Sequence, residues 1–63
     1  MKEFDIVILT QPIDESEIPI GTHGTIVHTF GGDDPNHYLV EWFDENNKTI
    51  DVTFAEKDQL KLR

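Results

Sequence analysis

Sixty-three residues with thirteen acids against five bases carry a formal net charge of -8, no cysteine and a hydrophobic share of 37%. That length holds one small core, a single domain over 1–63, and leaves no room for a substrate cleft between two lobes. The missing thiols exclude disulfide staples, thiolate zinc sites and cysteine nucleophiles, and the acidity disfavours nucleic acid and anionic membrane surfaces as partners. The charge is also uneven. Residues 1–45 hold ten acids and one base, Lys2, for a net -9, while residues 46–63 hold three acids and four bases for a net +1.

Near the start, only Ile6 to Leu9 form an apolar run. This is too short for a signal-peptide core and far short of the roughly 20 residues of a membrane span, so a soluble, cytoplasmic protein is expected. The first strand is predicted over Phe4 to Thr10, where Phe4, Ile6 and Ile8 make a wholly apolar face and Asp5, Val7 and Leu9 a partly apolar one. Residues 11 to 23 then read as a long loop, because Pro12, Pro19 and the acidic stretch Asp14-Glu15-Ser16-Glu17 do not suit a central strand. The β-branched residues of Gly24 to Phe30 predict a second strand, and Gly31 to Asn36 a loop. In the third strand, His37 to Phe43, Tyr38, Val40 and Trp42 alternate with Leu39, Glu41 and Phe43, which places the larger aromatic set in the core. Asp44 to Lys48 is a hairpin signal with a two-residue turn at Asn46 and Asn47, leading to a fourth strand over Thr49 to Phe54. One helical or 3-10 turn over Ala55 to Asp58 precedes a short closing strand, Gln59 to Leu62. The fold expected is all-β, a five-stranded barrel whose closure protects its edges.

The segment Ile18-Pro19-Ile20-Gly21-Thr22-His23-Gly24-Thr25-Ile26-Val27 resembles the lead-in to the second strand of SH3-like barrels, with Gly21 and Gly24 as structural turn residues. Combined with Asp5 to Leu9, Tyr38 to Asp44, Lys48-Thr49-Ile50 and Asp58-Gln59-Leu60, it resembles a small bacterial family known as domain of unknown function 4926. The resemblance spans nearly the whole chain. It departs from the family at Leu39, where a Glu or similar residue is usual, and at Asn47, where glycine is usual. It implies an SH3-like barrel, no catalytic motif, and stand-alone members that partner other proteins in the manner of antitoxins or immunity proteins. The Gly21 to Val27 segment is also similar to the KOW-type motif of RNA-associated barrels, which keeps an RNA-associated module as an alternative beside that of an accessory subunit of an enzyme complex.

The polar residues suggest little chemistry. His23 and His28 are five apart, so they fall on opposite faces of one strand unless a bulge near Gly24 aligns them. The carboxylate pairs Asp14-Glu15, Asp33-Asp34 and Asp44-Glu45 all fall in loops, where they stay ionised, and no stretch follows a calcium-loop pattern. Ser16 is the only serine and lies between acids; Gly31-Gly32 leads to acids rather than to a phosphate-binding Lys. Asn47-Lys48-Thr49 matches a glycosylation sequon but reads as a turn. No catalytic residue, cofactor or metal is expected. An aromatic cage drawn from Phe30, Tyr38, Trp42, Phe43 and Phe54 competes with the core's need for Tyr38, Trp42 and Phe54. With Tyr38, Val40 and Trp42 inside, Leu39 and Phe43 point outward, and Val27 joins them in an apolar patch rimmed by Glu41, Asp44 and Glu45. The expectation is a protein-binding surface at Val27, Leu39, Glu41 and Phe43, flanked by Asp14, Glu15 and Glu17, on a monomer or weak homodimer; the alternative is that the loop 11–23 covers the patch with Ile13, Ile18 and Ile20, which need somewhere to pack.

Overall fold

Glycine, proline and the Asn/Asp-rich loops separate the five strands in the expected order, but the first strand is shorter than expected, and Ala55 and Glu56 extend the fourth so that the 3-10 turn begins at Lys57 rather than Ala55. The computed structural model describes all 63 residues and holds β1 (Ile6–Leu9), β2 (His23–Phe30), β3 (His37–Phe43), β4 (Thr49–Glu56), the 3-10 turn η1 (Lys57–Gln59) and β5 (Leu60–Leu62). All five strands are antiparallel in one sheet of order β4-β3-β2-β1-β5. The fold is all-β with the five strands expected, but the sheet is open. The expected closure does not occur, because the three-residue β5 pairs with β1 and β4 pairs with β3. The two edge strands are joined only through η1. No helix is long and apolar enough to cross a membrane.

The core consists of Val7, Leu9, Ile18, Ile26, Tyr38, Val40, Trp42, Ala55 and Leu60, with Met1 and Ile13 packed against it. Ile13 and Ile18 come from the long loop between β1 and β2, which thereby fills part of the open side. In β1 the partly apolar row is the one that faces in: Val7 and Leu9 are buried, Ile6 is exposed, and Phe4 has left the strand at φ 70 and is 74% exposed. The cause is Gly24, which pairs with both Val7 and Trp42. A Cβ on Gly24 would stand 2.6 Å from Val40 Cγ1 and 2.8 Å from the Glu41 carbonyl oxygen, so the sheet closes over this residue only because it is glycine.

Two bulges decide what the rest of the sheet exposes. Between β2 and β3 the register moves by one residue after Ile26↔Val40, so that His28, Thr29 and Phe30 pair with Leu39, Tyr38 and His37, and Val27 is the extra residue. Between β3 and β4, Phe43 pairs with Thr49 but Trp42 pairs with Asp51, leaving Ile50 as the extra residue. A one-residue shift exchanges the two faces of a strand. Without the second bulge, Ile50, Val52 and Phe54 would lie opposite Trp42, Val40 and Tyr38, in the core row. With it, Asp51, Thr53 and Ala55 take those places. The expectation that Phe54 packs in the core is therefore corrected: it is 63% exposed.

The polar inner row has a use. The buried indole of Trp42 donates from Nε1 to Thr53 Oγ1 at 2.8 Å, and no buried side-chain polar atom lacks a partner. Tyr38 donates from its hydroxyl to the Pro35 carbonyl at 2.9 Å. Burial, and then the negative charge of Asp34, holds its phenol above the usual value.

The β3–β4 connection is also longer than the expected two-residue turn. The Asp44 carboxylate accepts from the N–H groups of Asn46 and Lys48 at 2.8 and 2.9 Å, and Asp44 N–H donates to the Lys48 carbonyl at 2.8 Å. Asn47 then takes φ 63, giving a three-residue loop with a left-handed last residue. Asp44 selects this loop because its side chain bonds the backbone two and four residues on.

Candidate protein-binding site

Leu39, Glu41 and Phe43 alternate with the buried Tyr38, Val40 and Trp42, so they share the outer face, as the alternation predicts. All three are half-buried, and so is Val27 in its bulge. Glu41 is held by the Thr49 hydroxyl, which donates to its carboxylate. The residues that dominate this face are others. The first bulge turns Phe30 outward and the second does the same for Phe54, and the two rings lie 5.8 Å apart across β3. His28 packs edge-on to Phe30 at 4.7 Å. Of the aromatic-cage candidates, Tyr38 and Trp42 are enclosed in the core, so no cage containing them forms at the surface.

The histidines are distributed along the same face. The bulge that aligns His23 and His28 lies at Val27 rather than near Gly24. His23 stacks on Phe43 at 5.8 Å, His28 Nδ1 lies 3.5 Å from Glu3, and His37 Nε2 lies 3.4 Å from Glu56. No group of three or more His, Asp or Glu side chains is arranged to hold a metal ion.

The acidic loop does not flank the β2–β3 patch. It follows β4: Ile13 and Asp14 share a cleft with Phe54 and Ala55, and Glu17 and Ile18 share another, of about 240 Å³, with Ile50 and Asp51. Asp14, Glu15 and Glu17 are all exposed, Glu15 at φ 64. The second of these clefts adjoins, through Ile50, a larger one of about 480 Å³ lined by Pro19 to His23, Phe43, Asp44, Glu45 and Ile50. Ile20 and Ile50 are exposed there, and Phe43 is half-buried.

One continuous groove at the hairpin end of the sheet therefore has an apolar floor of Ile20, Phe43 and Ile50. Its rim carries four carboxylates, Glu17, Asp44, Glu45 and Asp51, and its lining includes His23 but no lysine or arginine. A pocket of this size takes one or two side chains, and its charge favours a cationic rim on whatever enters. By contrast, the cleft of about 570 Å³ between Asn36, His37, Glu56, Lys57 and Asp58 has no apolar lining residue.

Of the residues the sequence assigns to the patch and its acidic flank, Phe43, Asp44, Glu45 and Glu17 line this groove, while Val27, Leu39, Glu41, Asp14 and Glu15 do not. Ile50 and Asp51 are contributors that sequence reasoning missed, and it places Ile20 only in the loop alternative, as cover for the patch. Ile20 carried a visible signal, an isoleucine in a proline- and acid-rich loop with no periodic place in the core. Ile50 and Asp51 carried none, because their faces depend on the bulge. Of the expected turn residues, Gly21 at φ 95 and Asn47 at φ 63 stand at turns, Asn46 lies in the same loop as Asn47 without a positive φ, and Gly24 lies within β2, where it permits a close approach.

A family model described as domain of unknown function (DUF4926) matches residues 3–62. No curated protein and no solved structure matches the chain.

Proposed function

We propose, from the premise that this chain belongs to the DUF4926 family, that it is a protein-binding module without catalysis of its own. The observation that carries this reading is the groove in which Ile20, Phe43 and Ile50 meet Glu17, Asp44, Glu45 and Asp51. Its occupant is a segment of a partner protein that presents an apolar side chain between Lys or Arg residues. The apolar floor sets the lifetime of the complex, and the charge of the acid-rich first 45 residues speeds the encounter. An antitoxin- or immunity-like role follows if the partner's basic surface is a nucleic-acid site that the module covers. The same charge weighs against the RNA-associated alternative.

The test is capture of a discrete protein from host lysate by the tagged chain, beside an Ile20→Asp variant. Ile20 is 59% exposed, so the substitution leaves the urea midpoint near that of wild type. Binding is expected to be lost in the variant and to weaken as salt rises. A partner retained by Ile20→Asp, or no partner captured by wild type at low salt, overturns the groove as the binding site.

A further inference from the structure

The strand β4 is an unpaired edge whose amphipathic pattern is turned outward. Its inner row is Asp51, Thr53 and Ala55, while Ile50, Val52 and Phe54 on the outer row are 46%, 48% and 63% exposed. A strand normally presents its apolar row to its own core, and the reverse marks a surface that something else covers. The backbone of this edge is unpaired. None of the turn and loop backbone hydrogen bonds reaches residues 49–56, although the long loop runs beside this strand. The closing bond from Asp44 N–H to the Lys48 carbonyl sets the alternation of the ladder, so Asp51, Thr53 and Ala55 exchange bonds with β3. Val52 and Phe54 then turn their N–H and C=O groups to the free side. The Val52 N–H accordingly finds only the Asp51 carboxylate, at 2.8 Å.

We infer that a second copy of this chain pairs along β4, antiparallel and centred on Val52, joining two five-stranded sheets into one of ten strands. The register is chosen by self-complementarity. A two-fold axis at Val52 sets Val52 against Val52, Ile50 against Phe54, Asp51 against Thr53 and Lys48 against Glu56. The three outer-row residues then pack on the same residues of the partner, with the N–H and C=O groups of Val52 and Phe54 at the junction. The one pair of charged residues in register is of opposite sign. Moving the axis half a step, between Val52 and Thr53, would oppose Lys48 to Lys57 instead. The net charge of -8 does not forbid this contact, because residues 46–63 carry a net +1 and the acids are concentrated in residues 1–45. The joined outer faces also bring the Phe30 and Phe54 pairs of both copies onto one surface.

The pairing shares Ile50 and Asp51 with the groove, but the variants are placed at Val52, which does not line it, so their outcome is read apart from that of the groove. The experiment is sedimentation equilibrium of the full chain, wild type and the variants Val52→Lys and Val52→Glu, up to about 1 mM. Wild type is expected to rise from 7.3 kDa toward twice that mass with concentration. Each variant alone is expected to stay at the single-chain mass, because two like charges meet at the axis. An equimolar mixture of the two variants is expected to recover the double mass, a result that general misfolding does not produce. A wild type that remains at 7.3 kDa throughout, variants that associate alone as well as wild type does, or a mixture that fails to associate each overturns the pairing.

Discussion

The two edges of this sheet are built in opposite ways. At one side β5 is three residues long, with Leu60 buried in the core and Lys61 and Arg63 exposed. At the other, β4 runs for eight residues without lysine or proline and shows three apolar side chains to solvent. Shortness and basic side chains are common means of keeping an edge from pairing with another chain. The chain applies them at β5 and omits them at β4. An open sheet therefore need not be a failed barrel: Leu60 of β5 is buried in the core, while β4 stays attached through its inner row and leaves its outer row exposed.

The largest effect that tests this contrast is a pair of truncations. Leu60→Ala opens a cavity where β5 meets Leu9 and Ala55, and should cost about 2–5 kcal/mol. A domain of this length has only about 3–9 kcal/mol in total at the usual stability per residue, so this single truncation removes a large share of it. Val52→Ala, on the β4 edge, should change stability by less than about 0.5 kcal/mol in dilute solution. Urea denaturation followed by the fluorescence of the single tryptophan, Trp42, measures both. Equal losses would show that the two edges serve the fold alike and would remove the contrast.

A smaller effect locates how β4 is held. Thr53→Val keeps the shape of the side chain but leaves the enclosed Trp42 indole N–H without its acceptor, at a cost of about 1–3 kcal/mol. Loss of stability comparable to Val52→Ala would mean that Thr53 does not anchor the strand.

Much of the fold was legible because its signals are local. Breakers and β-branched runs placed the strands, and the aromatic alternation of β3 gave Tyr38, Val40 and Trp42 as core. The faces of β1 were ambiguous because both rows are apolar, and the choice lay with Gly24 on the next strand. The faces of β4 were read backwards for a sharper reason. Alternation sorts residues into two rows, but a single extra residue, Ile50, decides which row faces in, and nothing in Thr49 to Glu56 marks it as extra. The same holds for Val27 and hence Phe30. The groove was half legible: its acids and Phe43 followed from loops and alternation, while Ile50 and Asp51 required the register.

The smallest effect concerns where that register is set. β4 begins at a loop closed by the bond from Asp44 N–H to the Lys48 carbonyl, and the loop's last residue, Asn47, is held at φ 63. Asparagine tolerates this conformation and glycine adopts it without strain, so Asn47→Gly should stabilise the protein by roughly 0.5 kcal/mol, partly offset by the greater freedom of glycine in the unfolded chain. Glycine is also what the resemblance implies at this position. Asn46 precedes it in the same loop without a positive φ, and there glycine brings only the entropic loss, so Asn46→Gly should destabilise by a similar amount. Opposite signs for the two neighbours, read as shifts in urea midpoint, would place the choice of β4's register in the backbone of the hairpin. β5 has no such device, because its register follows from Leu60 seated in the core. Two shifts of the same sign would mean that the loop follows the strands, and that the core's demand for Thr53 opposite Val40 fixes which row of β4 faces out.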